Sequence, residues 1–237
     1  MSRNMNWKTW VILGLVVAVV VASGSLVMAS NMGFKINKAL KNGYVAANAP
    51  IGNNWISLPY NNPYASAKDF CNAIPTTSAG ATVSQLDGTT GAYTSFKCNA
   101  AATFPPAGTN FNLNPLKGVL FTATGSVITG VVMVGSSNET STITLLDAYV
   151  ANNAPIKVNW ISAAYHTTWV TANDICVTLG SVSAAYTISR LDAVTGAYTS
   201  HKCNAGVPGF SLVMGESIQI TKTGTTPAQV AWFPPHF

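Results

Sequence analysis

The pattern of hydrophobic and polar positions changes character near residue 30. Residues 10–29, WVILGLVVAVVVASGSLVMA, carry no charge. As a helix rising about 1.5 Å per residue, this stretch is about 30 Å long, the thickness of a bilayer's hydrocarbon core. Arg3 and Lys8 precede it, and Trp7 and Trp10 suit a membrane interface. Beyond it the pattern predicts strands and short helices. NWISLP (residues 54–59) and VNWISAAY (residues 158–165) read as strands. ASAKDFCNAI from Ala65 places Ala67, Phe70, Cys71 and Ile74 on one helical face behind Ser66 as N-cap, and VTANDICVTL repeats this behind Thr171. VSQLD-GTTG-AYTSFKC and ISRLD-AVTG-AYTSHKC read as hairpins. Further strands are expected at residues 127–134 and 229–233.

These predicted elements occur twice in the same order. Residues 44–99 align with 149–204 without a gap, and 30 of the 56 paired positions are identical, far too many for chance. After a shift of six residues, FNLNPLKGVLFTATG from Phe111 matches FSLVMGESIQITKTG from Phe210. Repetition at this period means two copies of one unit. The expected architecture is mainly β: one N-terminal transmembrane helix, then two tandem β-sandwich-like domains of six or seven strands with one short helix each. The boundaries are 1–32 for the anchor, 33–136 for the first β domain and 137–237 for the second.

Each copy holds one pair of cysteines 27 positions apart, most simply read as disulfides Cys71–Cys98 and Cys176–Cys203. Disulfides imply an oxidising compartment. The body is then extracytoplasmic or periplasmic, and the N-terminus cytoplasmic, on a single-pass protein of the cytoplasmic membrane. The hydrophobic segment reads either as a retained anchor, the reading carried forward, or as a leader cleaved after Val27-Met28-Ala29. As an anchor it presents Gly14, Ala18, Ala22 and Ser25 as a stripe of small residues against which another helix packs closely. It has no ionisable side chain and so offers no proton path or pigment ligand.

Only 8% of the residues are charged, against about 25% in ordinary soluble proteins. A surface made instead of Asn, Ser and Thr suits packing against other membrane subunits or lipid headgroups. Twelve Lys and Arg stand against seven Asp and Glu, with no run of three basic residues, which argues against a nucleic-acid partner. Lys35, Lys38 and Lys41 read as headgroup contacts or solvated strand positions.

Candidate chemistry is sparse. His166, His201 and His236 have no counterparts between copies, and no C-x-x-C is present, so neither metal nor cofactor is expected. The acids recur as Asp69 with Asp174 and Asp87 with Asp192, one of each per copy, which fits helix-dipole and turn roles better than a catalytic pair. Lys97 and Lys202 are expected to pair with them across the hairpins. No nucleophile motif or phosphate loop occurs, so an enzyme is not expected. The places where the copies differ are the expected working surfaces. Tyr60, Tyr64 and Trp169 on the loop after the first strand, and Trp232, Phe233 and Phe237 near the C-terminus, are candidate interface aromatics.

NWISLPY, AKDFC, SQLDGTTGAYTS and FNLNPLKG resemble a repeat found in tandem in secreted and surface bacterial proteins. The second copy departs from it at VMGES, where the proline is missing. The resemblance implies an extracellular building block without catalytic activity. The layout of anchor plus paired modules is also similar to accessory subunits that bind bacterial photosynthetic reaction centres and their antenna rings, which implies a structural brace. The alternatives are a membrane-tethered surface binding module (adhesin or glycan binder) and a secreted structural or filament subunit with a cleaved leader.

Overall fold

The computed structural model describes residues 33–40, 52–74, 81–87, 90–98, 108–123, 130–136, 141–145, 158–163, 167–180, 186–193, 195–206, 209–222 and 230–232. The N-terminal hydrophobic segment with its Gly14, Ala18, Ala22 and Ser25 stripe lies outside them, as do Phe233 and Phe237. Among the described residues no helix is long and apolar enough to cross a membrane.

The chain is mainly β, and Phe34–Phe237 forms one unit. The first copy runs β1 (Phe34–Lys38), β2 (Asn53–Ile56), α1 (Ala67–Ala73), β3 (Thr82–Leu86), β4 (Tyr93–Lys97), β5 (Val119–Thr122) and β6 (Val131–Gly135). The second runs β7 (Ile143–Leu145), β8 (Val158–Ser162), α2 (Ala172–Thr178), β9 (Tyr186–Leu191), β10 (Tyr198–Lys202), β11 (Ser217–Lys222) and β12 (Val230–Trp232). Each copy builds a four-stranded antiparallel sheet, ordered β2-β5-β3-β4 and β8-β11-β9-β10. The first and last strands of each copy pair with one another, β1 with β6 and β7 with β12. Each copy thereby closes on itself and encloses its own core.

Local chemistry explains why the elements form where they do. A seven-residue helix is marginal alone. In α1 the Ser66 hydroxyl accepts from the Asp69 N–H while the Asp69 carboxylate accepts from the Ser66 N–H, a reciprocal capping box. In α2 the Asp174 carboxylate accepts from the N–H groups of Val170 (2.8 Å) and Thr171 (2.7 Å) and from the Thr171 hydroxyl. Slight burial works against the Asp174 charge, but the donors of Thr171 and Val170 outweigh it and hold the carboxyl below its ordinary value of 3.8. This cap therefore stabilises the fold at neutral pH and is lost as acid titrates the group.

The buried face of α1 is the one its spacing predicts: Ala67, Phe70, Cys71 and Ile74 are all buried. Disulfides Cys71–Cys98 and Cys176–Cys203 tie each helix to the residue following β4 or β10. The hairpin turns follow from their residues too. Asp87 Oδ1 accepts the Thr90 N–H, and Gly91 takes φ 71°; Asp192, Thr195 and Gly196 (φ 68°) repeat this. A left-handed residue at that point is why both copies carry glycine.

Lys97 and Lys202 do not pair with the acids, contrary to expectation. Lys97 lies opposite Thr82 at one end of its hairpin, and Asp87 follows Leu86 at the other. Four residues at about 3.4 Å each separate those ends by about 14 Å. Asp69 and Asp174 are occupied by their caps.

Candidate functional site

The two copies meet across a pseudo-twofold junction built from their equivalent strands. In β2 and β8 the residues Asn54 to Ile56 and Asn159 to Ile161 are buried on both strand faces. One face belongs to the copy's own core. On the other, Trp55 and Trp160 stack on each other, ring centroids 3.8 Å apart and planes 7° from parallel. Ile56 bridges to Glu216, and its mate Ile161 to Lys117.

The hydrogen bonds obey the same symmetry. The Ser57 N–H donates to Gly215 O (3.0 Å), as the Ser162 N–H does to Leu116 O (3.1 Å). The Ser57 hydroxyl donates to Glu216 O and accepts the Ala163 N–H; the Ser162 hydroxyl donates to Lys117 O and accepts the Leu58 N–H. Equivalent positions 118 and 217 face each other at this junction. A Cβ on Gly118 would come within 2.7 Å of Ser217 Oγ, so only one of the two can carry a side chain.

Two clefts flank the tryptophan stack, and here the copies diverge. One is lined by Lys38, Ala39, Asn54, Trp55, Leu191, Ala193, Glu216 and Ser217. Lys38 Nζ meets Glu216 Oε1 at 2.7 Å in it and leaves a cavity of only about 40 Å³. Lys38, expected at headgroups or in solvent, is thus a largely covered ion-pair partner across the junction. The equivalent positions in the other cleft are Ile143 and Lys117, and its cavity is about 180 Å³.

Beside the stack stand Tyr93 and Tyr198, tilted against Trp55 and Trp160 with centroids 6.3 and 6.4 Å away. They remain 50% and 54% exposed. Burial pushes the Tyr93 phenol up, and the neighbouring Tyr198 adds to the effect. Sequence reasoning missed this pair by absorbing it into the turn motif GAYTS. The available signal was an aromatic identical in both copies, one residue into an outward-facing strand.

Three of the expected interface aromatics prove to be core residues. Tyr60, Tyr64 and Trp169 are buried. The Tyr64 ring packs edge-on against Phe70 at 5.3 Å, and its hydroxyl donates to Val132 O. The Tyr60 hydroxyl donates to Ser162 O across the junction. Tyr64 and Trp169, which hold the same position in the two copies, each pack into the core of their own copy. Trp232 is the last residue of β12.

Exposed apolar groups lie elsewhere. Val170, Val177, Val213 and Met214 are exposed in the second copy, Val177 at 70% and Met214 at 63%, where the first has Ala65, Asn72, Asn114 and Pro115. Val170, Val213 and Met214 rim a cavity of about 220 Å³ with Trp169 and Leu212.

Among the described residues no group of His, Cys, Asp or Glu has the arrangement of a metal site. His201 is buried where the first copy has Phe96, and its Nε2 has no hydrogen-bond partner among the described residues. A buried unpaired polar atom costs about 1–3 kcal/mol. His201→Phe is therefore expected to raise stability by about 1–2 kcal/mol, read as a higher urea midpoint at unchanged slope; a lower midpoint would show that the imidazole contributes a bond of its own.

Comparison with known proteins finds no matching family, no similar curated protein and no similar solved structure.

Proposed function

We propose that this chain is a non-catalytic assembly subunit of a larger membrane complex, held by its N-terminal hydrophobic segment, with a pair of sandwich-like, disulfide-stapled β modules outside the cytoplasm. The observation that carries this reading is the set of four exposed positions that hold Val or Met in the second copy where the first has Ala, Asn or Pro. Cap, turn, staple and core are common to both copies, as a fold requires. Val170, Val177, Val213 and Met214 serve no core, and exposed apolar patches mark interaction surfaces. The two modules lie in one compact unit that presents that surface, and the disulfides fit an oxidising compartment. A reaction centre with its antenna ring is the kind of complex that the layout suggests.

The test is gentle detergent solubilisation followed by native electrophoresis. The chain should migrate with a large stoichiometric complex, and Val177→Asp combined with Met214→Asp should release it at unchanged thermal stability. Migration of the wild-type chain as a free monomer with its hydrophobic segment intact would overturn the reading.

A second reading, a surface module that binds glycans, is favoured by the exposed Tyr93 and Tyr198 pair, since aromatic platforms suit sugar faces. It requires that Tyr93→Ala with Tyr198→Ala abolish retention on a polysaccharide matrix while co-migration persists.

A further inference from the structure

We propose that the open cleft beside Trp160 binds a small organic carboxylate with an apolar body. The chain carries its own internal control. The same cleft occurs twice, on either side of the Trp55–Trp160 stack, with the same framework: Leu191, Asn54 and Trp55 in one, Leu86, Asn159 and Trp160 in the other. In the first, the protein fills the space itself with Lys38 and Glu216, ammonium to carboxylate at 2.7 Å. In the second, both partners are exchanged. Ile143 stands at the position of Lys38, and Lys117 at that of Glu216. The cavity grows from about 40 to about 180 Å³.

The exchange changes the cleft's charge as well as its size. Its described lining includes Lys117 and no acidic residue, so one cation stands at its rim without an internal counterion. Lys117 is exposed and makes no side-chain hydrogen bond or ion pair among the described residues. Leu86, Ile143, Val158, Trp160 and Ile161 supply apolar wall, and Asn114 and Thr142 add polar lining. An apolar body on the Ile143 side with a carboxylate reaching Lys117 restores in trans the charge pairing that the other cleft makes in cis. A neutral ligand of the same shape leaves Lys117 unpaired, and a cationic one is repelled.

The test titrates benzoate into the full chain in detergent and follows the Ile161 methyl and Trp160 indole resonances. Saturable shifts are expected, with benzamide binding at least tenfold more weakly. Lys117→Gln, at an exposed position that the fold does not need, should weaken benzoate at least tenfold. Ile143→Lys combined with Lys117→Glu rebuilds the ion pair of the first cleft and should abolish saturable binding while the circular dichroism stays native. Shifts that grow linearly without saturating, equal binding of benzamide and benzoate, or full affinity in the Lys117→Gln variant would each overturn the proposal. Should the double variant not fold, Lys117→Gln and the benzamide comparison still decide it.

Discussion

Trp160→Ala is expected to cost about 3–5 kcal/mol and to split a single unfolding transition into two. The magnitude follows from removing a buried aromatic from a packed site. Trp160 is buried between the copies, stacked on Trp55 and flanked by Tyr198. The splitting follows from where the contact lies. Each copy has its own core, helix and disulfide, so each retains what it needs to stay folded by itself. The contacts that join them at the junction include the tryptophan stack, the Ser57 and Ser162 hydrogen bonds, the Tyr60 hydroxyl on Ser162 O, the Ile56–Glu216 and Ile161–Lys117 bridges and the Lys38–Glu216 pair. Of these only the stack joins two large buried aromatic rings. Calorimetry reads both effects, because the ratio of calorimetric to van't Hoff enthalpy departs from unity when the copies melt separately. Trp55→Ala should behave alike. The double variant should lose less than the sum of the singles by about 0.5–1.5 kcal/mol, the range for a stacked aromatic pair. One sharp transition within about 1 kcal/mol of wild type would show that the copies are joined by something other than the stack.

The features that could be read from the sequence are those whose causes are local. Ser66 with Asp69, and Thr171 with Asp174, cap helices because three residues of spacing suffice to close the box. Asp87 to Gly91 makes its turn from adjacent residues. Repetition extended that reach to the cysteines, since a pair kept at one spacing in two copies has one simple explanation. The missed features are those whose partners lie far away. Lys38 and Glu216 are 178 positions apart, and nothing near Lys38 distinguishes it from a solvated strand lysine. NWIS reads as a strand, but its pattern does not say that Trp55 is covered by the other copy's tryptophan. Difference between copies was also a poor guide by itself. Where Tyr64 in the first copy becomes Trp169 in the second, both are buried in their own cores, while at Lys117 and Ile143 the difference opens a cavity, and only position in three dimensions separates the two cases.

The disulfides should be the other large contributors, and the copies should respond separately. Cys71→Ala with Cys98→Ala releases a constraint spanning 27 positions, which in the chain-entropy view costs about 3.5 kcal/mol. Because Cys71 lies on the buried face of α1, the substitution also removes a contact that keeps a seven-residue helix on its sheet. The loss should therefore fall on the first copy, with α1 opening before β3. Hydrogen exchange reads this directly: amides of α1 should lose protection while those of α2 keep theirs. Cys176→Ala with Cys203→Ala should reverse the assignment. For a unit of about this size each pair should lower the melting temperature by about 10 °C. Reduction of the wild-type chain should reproduce both losses. Equal loss of protection in both helices from either single pair would mean that the copies unfold as one body, and would set the junction, not the staple, as the determinant of their stability.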